Sequence, residues 1–366
     1  MKIIDRYILK SFLVNYAIAL TVMIGIYVVL DLFVNLDEFT EVPNQTIGQI
    51  LGRIADYYGH NLFLYFAQLA GVITLMAGCF TLVRLHRSNE MTAILAAGTS
   101  LYRVAAPLLI AGLAMNALWF VDQEFIIPSI APKLARAHGD VEGRQTFAVH
   151  FLPDPKNGNA LLSASRFSPA VSVMRGVVIL LRDDDLRLTE IIEADEANWD
   201  AEKGCWVFRN GVATVLAADP DDPTASVGRY AVREYPSLLT PKEITLQQSA
   251  QWTQFLSLRE LDRLQEFFAA TGSGEFIRMK HSRLTTVFMN MTLLCIGLPF
   301  FLNRERPPIV VLGGKCLLAA GLCYASMFMM NTVDFSSVNV SPALPPWLPF
   351  IVFAPVSVVM LEGIRT

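Results

Sequence analysis

The sequence predicts an α-helical membrane protein with six transmembrane helices and an inserted all-β, jellyroll-like domain. Three observations carry that prediction. Six apolar runs approach or reach bilayer-spanning length. Only 17% of residues are charged, against about 25% in ordinary soluble domains. The stretch 122–281 breaks instead into short alternating runs punctuated by Pro and Gly.

The other bulk properties narrow the class. The chain is 53% hydrophobic, with a mean hydropathy of +0.43. A net charge of −4 argues against a nucleic-acid partner. Cys79, Cys295, Cys316 and Cys323 fall in apolar runs, and Cys205 stands alone in the polar middle, so no disulfide is expected there.

The first run, Phe12 to Phe33, is preceded by Lys2, Arg6 and Lys10. At about 22 residues it exceeds a signal-peptide core, and it lacks a small-x-small cleavage site. It is therefore read as a retained span. The next runs are Asn61 to Val83, Leu101 to Val121, Leu284 to Leu302 and Ile309 to Met330. The sixth, Trp347 to Leu361, is shorter and reaches span length only by extending through Pro345 and Pro346. The domains expected are 1–121, 122–281 and 282–366.

Short loops set the orientation. Arg84 and Arg87 separate spans two and three, Arg304 and Arg306 separate spans four and five, and Arg365 follows span six. The opposite loops are acid-biased, with Asp37, Glu38, Glu41 and Asp56 against Arg53 in one and Asp334 in the other. By the positive-inside rule both termini are cytoplasmic and 122–281 lies outside.

The stretch Arg84 to Ser100 is distinctive. Ser88 is placed to cap a short helix near 88–98, and Glu90 falls in its first turn, where the helix dipole favours an anion. Helix formers follow, Gly98 is placed to end the helix, and Thr99 or Ser100 to start the next.

In the β domain, six segments read as strands: Gln145 to Phe151, Ala160 to Phe167, Val171 to Arg182, Leu186 to Ala194, Cys205 to Val215 and Ser226 to Tyr235. Their spacing suggests a sandwich or jellyroll. Ser257-Leu258-Arg259-Glu260 is a capping box. It opens an amphipathic helix near 257–268, with Leu261, Leu264, Phe267 and Phe268 on one face.

Several stretches resemble the LptF/LptG permease family: Asp5-Arg6-Tyr7-Ile8, Glu90-Met91-Thr92-Ala93 with Ala96-Ala97-Gly98-Thr99-Ser100, Ser257 to Leu261, Arg283 to Pro299, and Pro345-Pro346-Trp347-Leu348-Pro349. The resemblance covers nearly the whole chain. It implies a bacterial inner-membrane subunit that extracts lipopolysaccharide or a related lipid. It further implies a cytoplasmic ABC ATPase dimer, a paralogous membrane subunit, and a periplasmic bridge protein of jellyroll type. The corresponding family glutamate faces the ATPase, which makes Glu90, with Arg84, Arg87, Ala97 and Gly98, the expected coupling site. Read without the resemblance, Glu90 is equally well a dipole-complementing charge, and the two arginines are topology determinants.

Enzyme chemistry is not expected. Gly313-Gly314-Lys315 lacks the upstream glycine and the following Ser or Thr of a phosphate-binding loop, and no G-x-S-x-G or H-E-x-x-H occurs. His60, His86, His138, His150 and His281 are scattered, so no metal or other cofactor is expected; His138 and His150 read best as surface residues. Arg278, Lys280, His281 and Arg283 crowd the outer entry to span four. Each is explained by snorkelling, and as a cluster they suit lipid phosphates. Lys315 suits snorkelling first and a cavity-facing role second. Gln68 and Asn331 read as helix-contact polars. The first span carries acids at its outer end, where some family members place lysines. The rival readings are a permease for another lipid or lipoprotein, and a membrane-anchored β-domain scaffold.

Overall fold

The computed structural model describes residues 3–40, 46–134, 146–154, 157, 160–183, 187–216, 228–248, 252–267, 274–302, 308–333 and 340–364. Two compact units emerge. One comprises 1–37, 58–129 and 256–366, and the other 38–57 and 130–255. Arg304, Arg306, Arg365, Glu41, Asp334 and His138, all weighed above, lie outside the described residues.

The first unit is helical. Its elements are α1 (Ile3–Thr40, whose last residues join the second unit), α2 (Ile47–Arg87, shared likewise), α3 (Glu90–Ala96) and α4 (Leu101–Val121). A π-helical turn, Asp122–Ile126, continues α4 into α5 (Ile127–Leu134). After the second unit come α7 (Leu258–Phe267), α8 (Gly274–Phe301), α9 (Ile309–Thr332) and α10 (Leu348–Glu362). Six helical segments are long and apolar enough to cross a membrane. They match the six apolar runs, although the helices extend beyond them at most ends. The first helix breaks its geometry at Asn35 (φ −109°, ψ 16°).

The core of this unit gathers Leu82, Leu85, Met91, Leu101, Val104, Leu108, Leu294 and Leu298, all at most 1% exposed. Three side chains inside it bond across helices, which satisfies polar groups in a low-dielectric environment. The Asn116 amide donates to the Val287 carbonyl (2.6 Å), the Trp119 indole to the Ala67 carbonyl (2.8 Å), and the Asn15 amide to Thr81 Oγ1 (2.9 Å). The helices share this core unequally. In the most apolar window, 61% of α2 is buried, but only 11% of α1 and of α9.

The two compact units divide at places other than the expected 122 and 281. Segments 122–129 and 256–281 belong with the membrane helices, and 38–57 belongs with the β unit. The physical reason is the docking of α7 onto the π turn and α8, described below.

The second unit is built on one antiparallel sheet: β1 (Phe147–Asp154), β2 (Ala160–Ser168), β3 (Val173–Arg182), β4 (Leu188–Asp200), β5 (Cys205–Arg209), β6 (Val212–Val215), β7 (Gly228–Ala231) and β8 (Glu234–Pro236), followed by α6 (Pro241–Gln248). The eight strands follow six sequence segments, because two segments are each interrupted once. β5 and β6 pair with β4 in one continuous register, Glu196 opposite Arg209 and Glu193 opposite Val212. β7 and β8 likewise run along β6 and β5. Strand order is that of a meander, β1-β2-β3-β4 and then the two interrupted strands.

A crease crosses this sheet. Burial alternates along each strand until two successive residues are unburied: Ser165 and Arg166, Arg175 and Gly176, Asp195 and Glu196, Arg209 and Asn210. Beyond it the buried set changes parity, from Ala164 to Phe167 on β2 and from Val177 to Met174 on β3. In a strand, successive side chains point to opposite faces, so this parity change needs a backbone break. Gly176 (φ 60°) and Asn210 (φ 56°) supply left-handed residues at the crease. Beside them, a Cβ on Gly211 would lie 2.3 Å from the Val232 carbonyl oxygen. The core on the inner face contains Leu162, Phe167, Met174, Ile179 and Trp206, each fully buried.

Candidate functional site

The turn between α2 and α4 is built as the sequence suggests at its end and differently at its start. α3 spans seven residues. Gly98 adopts φ 76° and donates to the Leu95 carbonyl (2.9 Å), while the Thr99 amide reaches the Ile94 carbonyl (3.3 Å). This pair of bonds is a Schellman stop, which requires the left-handed residue that glycine supplies. Ser88 is not the cap. Asn89 occupies that position at φ 61° with no side-chain cap bond, and the Ser88 hydroxyl donates back to the Arg84 carbonyl (2.9 Å). Ser88 still continues the last turn of α2, so its side chain follows that helix. Ser100 likewise precedes α4 without a side-chain cap bond.

Met91 anchors α3. Its side chain is 1% exposed within the membrane-helix core, with Ile94 and Leu95 packed beside it. Thr92, Ala93, Ala96 and Ala97 are exposed, as are Arg84 and Arg87. Glu90 opens the helix and is half-buried. The Tyr7 hydroxyl of α1 donates toward its carboxylate. Glu90 Oε2 is buried and has no hydrogen-bond partner among the described residues. Arg84, Arg87, Ala97 and Gly98 lie in the same stretch of chain, and among the described residues none of them bonds to Glu90. Its partner is Tyr7, which a reading of the turn alone could not supply.

Around α3 the helix ends are tied together. His86 Nε2 lies 2.8 Å from the Phe301 carbonyl oxygen, joining α2 to α8. The Tyr102 hydroxyl donates to the Leu361 and Glu362 carbonyls (3.0 and 3.3 Å), joining α4 to α10. Arg103 Nε and Asp5 Oδ1 are 3.9 Å apart, joining α4 to α1.

The basic cluster at the entry to α8 is engaged by the chain itself. The capping box forms as expected: the Ser257 amide donates to Glu260 Oε2 (2.6 Å), and the Glu260 amide to the Ser257 hydroxyl (3.3 Å). The next amide, of Leu258, reaches Glu124 Oε2 in the π turn (2.9 Å). This places a carboxylate at the positive end of α7. Arg283 donates to the Leu256 carbonyl and lies near the charges of Glu124 and Glu260. Lys280 Nζ pairs with Asp262 Oδ1 at 2.5 Å, and Leu261 is fully buried. Among the described residues Arg278 donates to the Val333 carbonyl alone (3.3 Å). The His281 ring meets the Trp347 indole N–H (3.1 Å). The side chains of Phe267 and Phe268 lie outside the described residues.

Lys315 is exposed on α9, beside buried Cys316. It is therefore not brought near the α8 cluster by any contact among the described residues. Gln68 is exposed on α2 rather than packed against another helix of the chain, and Asn331 is half-buried. Among the described residues no group of His, Cys, Asp and Glu could hold a metal ion.

A family profile, "Lipopolysaccharide export system permease LptF/LptG", matches residues 6–362. The chain belongs to the LptF/LptG family. No curated protein matches the chain. The match takes in all six apolar helices of this LptF/LptG permease and the sheet between them, so the family is that of the whole chain and not of one unit. It is a family of transporter components, not of enzymes.

Proposed function

We propose that this chain is the membrane half-subunit of an ABC transporter that lifts lipopolysaccharide, or a related lipid, out of the inner membrane. In this reading a separate cytoplasmic ATPase dimer supplies the energy. α3 is its docking element, with Glu90 meeting a cation of the partner and Arg84, Arg87, Ala97 and Gly98 shaping the seat. The observation that carries the reading is the construction of α3. Met91 fixes it to the membrane-helix core, Glu90 is only half-buried at its first turn, and the opposite face is exposed. A rigid lever with an open face suits force transmission from a partner.

α1 and α9 leave most of their apolar surface uncovered, which suits a paralogous LptF/LptG-type subunit closing a cavity from the other side. Acyl chains in such a cavity would gain about 0.8 kcal/mol per buried methylene. The β unit, read as a periplasmic jellyroll, would hand the lipid to a jellyroll-type bridge protein. Among the basic residues, Arg278 and Lys315 remain the candidates for lipid phosphate. Lys280 and Arg283 act in holding α7.

The test is co-purification. The chain expressed with its chromosomal neighbours should retain an ATPase and a paralogous membrane subunit. Recovery of neither, with normal membrane insertion, would leave the scaffold reading. Orientation is tested separately. A reporter active only outside the cytoplasm should be active when fused after Gly211 and silent after Asn303; the reverse pattern would overturn the positive-inside assignment.

A further inference from the structure

The crease in the β sheet carries a row of charges that the transport reading does not use. Register places Arg166 opposite Arg175, Arg175 opposite Glu196, and Glu196 opposite Arg209. Four neighbouring strands thus present three guanidinium groups and one carboxylate side by side on one face. Glu196 Oε2 serves two of the arginines, at 3.0 Å from Arg209 Nη2 and 3.7 Å from Arg175 Nε. Its side chain is 15% exposed, while those of Arg175 and Arg209 are 66% and 65% exposed. Arg166 has no ion-pair partner among the described residues.

Like charges directly opposite one another on antiparallel strands are destabilising. Arg166 and Arg175 are such a pair, and the single carboxylate is already shared between Arg175 and Arg209. The row therefore carries an excess of two positive charges in a chain whose net charge is −4. It is also concave. An open cleft of about 260 Å³ at the Arg166 end of the row is lined by Arg166, Arg175 and Glu196, which leave one positive charge in excess, together with Thr146, Ser168, Val171 and Val173. Two guanidinium forks and two hydroxyl donors around one cleft form a donor set matched to a tetrahedral oxyanion. Backbone geometry fixes the spacing, because Arg166 and Arg175 are register partners beside the left-handed Gly176.

We propose that this cleft binds a phosphate monoester, with Arg166 as the specificity-determining residue, Arg175 as the second fork, and Thr146 and Ser168 as hydroxyl donors. The phosphate belongs either to a lipid headgroup or to a free phosphate, and the two are separable. The experiment is calorimetry on the full chain in maltoside detergent at constant ionic strength. The probes are inorganic phosphate and a short-chain phosphatidic acid, with chloride as the reference anion.

Wild type should bind at least one phosphate probe. Arg166→Gln should weaken that binding about tenfold or more, as loss of a charge-assisted contact implies. The same variant should fold normally, since it removes a like-charge contact and no ion pair. Glu196→Gln should tighten binding by removing the neighbouring negative charge, while lowering the unfolding temperature. Binding of the lipid probe alone assigns the site to a headgroup, and equal binding of both assigns it to free phosphate. Undetectable binding of both probes to wild type, or unchanged affinity in Arg166→Gln, overturns the proposal.

Discussion

The two short helices of the membrane unit, α3 and α7, are built from similar parts and end differently. Each has a glutamate near its start and a buried apolar anchor, Met91 in α3 and Leu261 in α7. In α7 the polar groups around the first turn find partners. Glu260 closes the capping box, Glu124 takes the Leu258 amide, and Lys280 pairs with Asp262. In α3 the side-chain cap is missing, and Glu90 keeps a buried oxygen without a partner among the described residues. A buried unsatisfied carboxylate oxygen costs free energy. α7 is completed by groups of its own chain, whereas α3 keeps a carboxylate oxygen that no described residue satisfies.

That comparison is open to breaking, and the largest effect is expected at Glu90. Truncating one side of a partly desolvated interfacial charge pair costs about 2–5 kcal/mol, or roughly thirtyfold and upward in affinity. Glu90→Ala should therefore insert normally but lose its ATPase in pull-downs at equal membrane levels. Tyr7→Phe separates the internal tie from the docking role. If Glu90 only steadies α3 through Tyr7, both variants will behave alike; if it docks, Tyr7→Phe will retain the ATPase.

Met91→Ala comes next. Removing a fully buried methionine costs about 2–5 kcal/mol, and here the loss should loosen α3 from the helices beneath it. Hydrogen exchange of the α3 amides should rise while those of α4 stay protected. Uniform exchange would show that α3 holds its place without the anchor.

Gly98→Ala should cost about 1–2 kcal/mol, the penalty of a left-handed residue carrying a Cβ. It should read out as a modest drop in thermal stability. Lys280→Gln should do less, because a half-exposed pair contributes about 0–1 kcal/mol. Transport and photocrosslinking to anionic lipid should then persist. Lost crosslinking in Lys280→Gln, but not in Arg278→Gln, would reverse the roles assigned to the two. Ser88→Ala should stay within about 0.5 kcal/mol of wild type, since its hydroxyl caps nothing.

Much of the architecture was legible without coordinates, because it follows from local periodicity. Apolar runs of bilayer length gave six helices, and alternation gave six strand segments where the sheet has eight strands, two of those segments being broken once. The stop at Gly98 and the capping box at Ser257 and Glu260 were readable for the same reason: each is closed by residues three to five positions apart. The family resemblance was readable because its motifs recur in order along the whole chain.

Tertiary structure decided what depends on distant partners. Nothing near Arg283 in sequence indicates that it would reach the Leu256 carbonyl beside Glu124, and so the α8 entry read as snorkelling residues or a lipid cluster, without its contacts to α7. Tyr7 lies more than eighty positions from Glu90, and only the packing of α1 beside α3 brings them together. The arginine row depends on strand register and on a parity change at Gly176 and Asn210, neither of which periodicity encodes. Short-range backbone preferences are written locally and survive in any context. Side-chain partnership across helices and strands is a property of the packed whole, since each charge is satisfied by whichever group the fold carries to it.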